Sequence, residues 1–131
     1  MNLPSDRERT KRKEKEFQFR RSGILQEAQK VFAAKGFYNT TIVEIAQASG
    51  FAVGTLYQFF QSKEELYMAM VAEKMDLMYA GMTAAAAEQE NTIEKIRALI
   101  LAHFQFVENN IDFCSLFFRG IPQVSPTVVP I

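Results

Sequence analysis

The stretch TIVEIAQASGFAVGTLYQFF, Thr41 to Phe60, leaves room for two short helices and almost nothing between them. Ile42, Ile45 and Ala46 recur at three- and four-residue steps and stop at Gly50, where a positive φ costs little. Val53, Leu56 and Phe60 restart the same period at once. Two helices joined so tightly form either a helix-turn-helix or a plain αα corner. Gly54, Val53, Thr55 and the aromatics rank below the best helix formers, so the second helix is not built for its own stability and its value lies in what it touches.

The same spacing runs through the rest of the chain. From Arg20, the residues Ile24, Leu25, Ala28, Val31 and Phe32 mark a first helix that Gly36 closes after Lys35. Thr41 with Glu44, Ser62 with Glu65 and Asn91 with Glu94 each have the three-residue spacing of a helix start. Leu66, Ala69, Met70, Leu77 and Met78 carry a long fourth helix toward Ala84–Ala87. Ile93, Ile96, Ile100, His103, Phe104 and Val107 keep an apolar seam on a fifth, with His103 expected as a hydrogen-bonded core residue. Asn110 is expected to cap a short sixth helix bearing Phe113 and Leu116, stopped by Gly120 and Pro122. No segment alternates as a strand does, so the fold class is all-α. With 131 residues, 48% of them apolar, the chain can form one domain or a small domain plus part of another.

A formal net charge of zero hides a split: residues 1–35 hold ten Lys and Arg against five Asp and Glu, and residues 36–131 the reverse. Before Phe17 the basic head has no apolar period, so it reads as a flexible arm or a solvated helix extension over residues 1–19. One cysteine, Cys114, excludes an internal disulfide framework, and no apolar run reaches a membrane span or a secretory core. A cytoplasmic location is expected. A single His, no Gly-rich phosphate cradle, no HExxH and no CxxC leave no case for catalysis, a metal or a cofactor.

Binding chemistry is better supported. Ala52, Val53 and Gly54 leave little side chain between the backbone and a partner, and helix starts offer unpaired N–H groups to anions. Thr41 adds a hydroxyl, Tyr57 a phenol and Lys63 an ammonium around the tight corner. Preceded by the basic head, this set suits the phosphate backbone of duplex DNA.

The segment GFYNTTIVEIAQASGFAVGTLYQFFQSKEEL, Gly36 to Leu66, closely resembles the DNA-binding core of the TetR (tetracycline repressor) family. That family's pattern runs G-[FY]-x-x-T-T-x-x-x-I-A-x-x-[AS]-G-V-S-x-G-T-L-Y-x-[YH]-F-x-S-K-E-x-L. The resemblance implies a dimeric, mostly repressing transcription factor whose first three helices bind a palindromic operator and whose larger helical body binds an inducer. It implies phosphate contacts for Thr41, Tyr57 and Lys63, and positions near base edges for Val53, Gly54, Thr55, Gln58 and Phe59, with Arg20 and Arg21 or the preceding arm reaching the next groove. The implied division is an arm over 1–19, a helix-turn-helix domain over 20–66 and a partial ligand-binding and dimerisation domain over 67–131.

Phe51 and Ala52 stand where the family has Val-Ser, so a cap hydroxyl is lost, and Val53 replaces a residue that is often polar. Direct base readout is therefore expected to lean on Thr55 and Gln58. The charge-free, proline-rich tail IPQVSPTVVPI cannot continue a helix, and the apolar last helices are expected to need partner helices that the sequence up to Ile131 does not supply. A homodimer is expected where those helices are present. Met78, Met82, His103, Phe104 and Val107 are the candidate near wall of a pocket for a small apolar inducer. The competing reading is a helical protein-interaction module without specific DNA binding.

Overall fold

A computed structural model describes residue 3 and residues 5–118, and the expected stop at Gly120 and Pro122 and the tail lie outside the described residues. The elements are α1 (Asp6–Lys35), α2 (Ile42–Ser49), α3 (Val53–Phe59), α4 (Lys63–Ala87), α5 (Thr92–Asn109) and α6 (Ile111–Phe118). Every described element is a helix, as the periodicity required.

α1 begins at Asp6 rather than at Arg20, so the basic segment takes the helical of its two expected forms. The cause is local. Ser5 Oγ accepts from the Glu8 N–H at 3.3 Å, and Glu8 Oε2 accepts from the Ser5 N–H at 3.1 Å, completing a capping box. Asp6 and Glu8 also place negative charge at the positive end of the helix dipole. Lys, Arg, Glu and Gln, all good helix formers, carry the turns forward, and residues 5–20 are exposed on every side.

The head closes around Ile24, Leu25, Ala28 and Phe32 of α1, Ile45 and Ala46 of α2, Leu56 of α3, Phe60, and Leu66, Tyr67 and Met70 of α4. α2 ends at Gly50, whose φ of 76° is left-handed and whose N–H donates back to Ala46 and Gln47. α4 starts from Ser62, whose hydroxyl accepts from the Glu65 N–H at 3.0 Å, while Glu65 reaches back to the Gln61 N–H at 3.1 Å. Thr41 caps α2 through the Glu44 N–H at 3.2 Å. The Glu44 carboxylate turns instead to Lys35 of α1 at 2.7 Å, and this ammonium holds its pKa below the usual carboxylate range.

Tyr67 is the largest side chain in that core, 2% exposed and edge-on to Phe32 and Phe37 at 5.3 and 5.2 Å. Its phenol has no hydrogen-bond partner among the described residues, and burial pushes its pKa up to about 12 from 10.0. Unfolded, the phenol ionises near 10; folded, it keeps its proton. Stability is thus full below pH 10 and declines as pH rises toward 12. Tyr67→Phe is expected to gain about 1 kcal/mol at neutral pH by removing an unpartnered buried hydroxyl. At pH 11 the wild type should have lost about 1 kcal/mol more than the variant, relative to pH 7. Urea unfolding of both proteins at the two pH values measures this, and parallel losses would refute it.

α5 runs back along α4, tied by Lys95 Nζ to the Ala86 carbonyl at 3.1 Å and by Lys74 Nζ to Asn110 Oδ1 at 2.8 Å. Asn110 does not cap α6 with its side chain: Oδ1 is taken by Lys74, and Nδ2 donates to the Phe106 carbonyl at 2.8 Å. α6 packs back on α1, burying Phe113 and Leu116.

Candidate nucleic-acid interface

α3 is seven residues long, and its N-cap, Ala52, makes no side-chain hydrogen bond. A helix this short is not stable alone, so packing fixes its orientation. Leu56 and Phe60 are buried, and Val53 and Phe59 are part-buried against the same core. Those positions recur at helical spacing, which turns Gly54, Tyr57 and Gln58, at i, i+3 and i+4, to the opposite side. All three are exposed, Tyr57 by 51%. Thr55 lies part-buried at their flank.

Phe59 belongs to the inner side. Its ring stacks on Phe17 of α1 with centroids 4.7 Å apart and planes 22° from parallel. The family resemblance offers it to base edges, but its ring is used for packing. Val53, although part-buried, sits at the first turn beside exposed Gly54.

Thr41 is exposed at the start of α2, its oxygen accepting from the Glu44 N–H while its hydroxyl also bears on the Glu44 carboxylate and helps to lower that pKa. Lys63, at the start of α4, is part-buried. Its ammonium donates to the Phe37 carbonyl at 2.8 Å and stands 4.3 Å above the Phe37 ring. An ammonium has three donors, so this partner fixes the side chain beside the head and leaves two for an anion. Arg20 is exposed, whereas Arg21 is part-buried with its guanidinium 5.3 Å over the Phe60 ring.

Sequence reasoning missed Phe17, which it assigned to the arm, and the Lys35 to Glu44 bridge that pins α2 against α1. The Ser5 to Glu8 spacing was the available sign that helix continued through Phe17.

The candidate ligand wall does not assemble as expected. Met78 and Met82 are part-buried on α4, whereas His103, Phe104 and Val107 are exposed on α5, so His103 is not a core residue. α5 packs through Ala98, Leu99, Ala102 and Phe106, and turns Ile93, Ile96, Ile100, Leu101 and Phe104 outward. With Arg97 these line an open apolar groove of about 580 Å³ that includes, of the five candidates, Phe104 alone. Among the described residues no three His, Cys, Asp or Glu group as metal ligands, and no helix is long and apolar enough to cross a membrane.

The bacterial regulatory proteins of the tetR family match residues 24–70, which span the core of α1, both short helices and the start of α4. The transcriptional activator FasR of Mycolicibacterium smegmatis is 31% identical over 109 residues, covering 83% of this chain and 50% of FasR. The transcriptional repressor KstR2 of Mycobacterium tuberculosis is 31% identical over 91 residues, covering 70% of this chain and 46% of KstR2. The solved KstR2 structure, described as a ketosteroid transcriptional regulator, superposes with a TM-score of 0.65 at 28% identity over 76% of this chain and 51% of that one. The fatty acid metabolism regulator of Bacillus subtilis is 30% identical over 84 residues, 64% of this chain and 43% of that protein. The chain spans about half the length of these relatives. With the helix-turn-helix geometry, the matched segment and these relatives in agreement, the chain belongs to the tetR family of bacterial regulatory proteins.

Proposed function

We propose that the protein is a ligand-responsive, DNA-binding transcriptional repressor that works in the cytoplasm. The observation that carries this is the outer side of α3, where Gly54, Tyr57 and Gln58 stand exposed together while Leu56 and Phe60 hold the helix from behind. A helix held in this way can enter a major groove with its backbone close to the bases. Thr41 and Lys63, at the starts of the flanking helices, supply phosphate contacts, and Arg20 with the basic extension of α1 supplies further cations. Gln58 is the one long amide on the outer side, so it reads an adenine edge, with Thr55 beside it. The DNA-binding unit covers 20–66, and the ligand-binding and dimerisation part begins at 67.

Two copies bind a palindromic operator as a homodimer. The inducer is a small apolar molecule, in keeping with the apolar groove on α5 and with relatives described as a ketosteroid transcriptional regulator and a fatty acid metabolism regulator. Selection of duplexes from a random pool at fixed salt tests the function. Wild type should enrich a two-fold symmetric site, and Gln58→Ala should relax preference at one base position by about 1 to 3 kcal/mol. Equal weakening on the selected site and on random duplex would reject the role of Gln58.

The exposed seam of α5 favours a second reading, a helical interaction module. Absence of any retained duplex at low salt would select it.

A further inference from the structure

We propose that Phe17 is a positioning residue for sequence readout: by stacking on Phe59 it fixes the C-terminal turn of α3, and so the aim of Tyr57 and Gln58. The inference rests on the DNA-binding reading above and goes beyond it, since Phe17 itself touches no base.

The N-terminal end of α3 is set by the chain, because Gly50 and Phe51 join it to α2 and the Phe51 N–H donates to the Ala46 carbonyl at 3.0 Å. The other end is joined to α4 through the short link of residues 60–62, with the Phe60 N–H donating to the Leu56 carbonyl at 2.9 Å and Phe60 itself extended. The direction of the last turn also depends on the side chains that cover it. α1 supplies them. Phe17, Arg21, Ile24 and Ala28 fall on one side of α1 at i, i+4, i+7 and i+11. Ile24 and Ala28 enter the core, the Arg21 guanidinium covers Phe60 at 5.3 Å, and the Phe17 ring lies on Phe59 at 4.7 Å. The last residue of α3, Phe59, and its C-cap, Phe60, are therefore each covered by a side chain of α1. Phe17 is still 44% exposed, so it contributes little to the core itself. Its position makes it a brace on a seven-residue helix.

The capping box at Ser5 and Glu8 explains why the brace exists. Without helix continued beyond Arg20, Phe17 would be on a frayed end with no fixed direction.

The test uses the whole chain with Phe17→Ala, Phe17→Leu and Phe17→Tyr. Affinities are measured for a site that wild type selects from a random pool and for random duplex, each at several salt concentrations. Phe17→Ala should lower the ratio of the two affinities by about tenfold, roughly what loss of one aromatic pair can release. The slope of log K against log salt should not change, because no cation is removed. Phe17→Tyr should restore the ratio, and Phe17→Leu, apolar but unable to stack, should not. A second measurement needs no DNA: amide hydrogen exchange at Thr55–Phe60 should quicken in Phe17→Ala while α2 and α4 keep their protection. A wild-type ratio in Phe17→Ala overturns the proposal, whether or not exchange quickens. Unchanged exchange overturns the brace itself. If wild type selects no site at all, the DNA-binding reading fails and the role in readout falls with it, while the exchange result still decides whether the brace exists.

Discussion

Phe32→Ala is expected to lower the free energy of unfolding by about 3 to 5 kcal/mol. Phe32 has no exposed surface, stacks on Phe37 at 5.7 Å and receives the edge of Tyr67 at 5.3 Å. Its carbonyl also accepts from Gly36 at 2.7 Å, which closes α1. The ring therefore joins three pieces of the head: α1, the link before α2, and α4. Removing it leaves a cavity that Ile45 and Leu66 cannot fill from other elements without moving their helices. Domains of this size are stable by about 5 to 15 kcal/mol, so a large share of that margin would be lost. Urea unfolding followed by helical circular dichroism reads the change. A loss below about 1 kcal/mol would show that the aromatic cluster is not the keystone of the head.

The second large effect concerns binding. The double variant Tyr57→Phe with Lys63→Ala should weaken duplex binding on the order of a hundredfold while the fold persists. Hydrogen bonds to a charged phosphate oxygen contribute about 1.5 to 3 kcal/mol each, and the double variant removes two donors. Removing one cation should also reduce the slope of log K against log salt by about 0.9. The fold should survive because Tyr57 is half-exposed and Lys63 contributes one part-buried bond to the Phe37 carbonyl and its contact with the Phe37 ring, a loss of about 1 to 2 kcal/mol. Titration of a labelled duplex across salt concentrations, with circular dichroism beside it, separates binding from folding. An unaltered slope would remove Lys63 from the phosphate contacts.

Much of the head was legible because α2 and α4 announce their starts: Thr41 and Ser62 cap as their spacing to Glu44 and Glu65 required, as Asn91 does for α5, and Gly50 takes the left-handed corner. The early start of α1 was not legible from hydrophobic period, because residues 5–20 are exposed and charged and carry no apolar period. Only the Ser5 and Glu8 pair marked it. The packing of Phe59 was not legible for a related reason: its partner Phe17 lies in that same charged segment, so its side of α3 had no visible cover. α5 carries two apolar sides, and by hydrophobicity the bulkier one reads as the packed one. The reverse holds, since Ala98 and Ala102 let α4 approach closely while Ile93, Ile96, Ile100 and Phe104 remain outside. Sequence ranks sides by hydrophobicity, whereas close approach of two backbones selects small residues. Lys63 was legible as a cation at a helix start, but not as one anchored on Phe37.

α4 is one unbroken helix of 25 residues, rooted at Lys63 in the head and lying along α5 toward Ala87. At about 1.5 Å per residue it is a rod of about 36 Å with no hinge. A tilt of about 5° imposed at its far end would swing the near end by about 3 Å, the whole reach of a hydrogen bond. Mechanical leverage is thus built into the chain: on the proposed reading, a guest beside α5 need not touch the head to shift Lys63 against a phosphate.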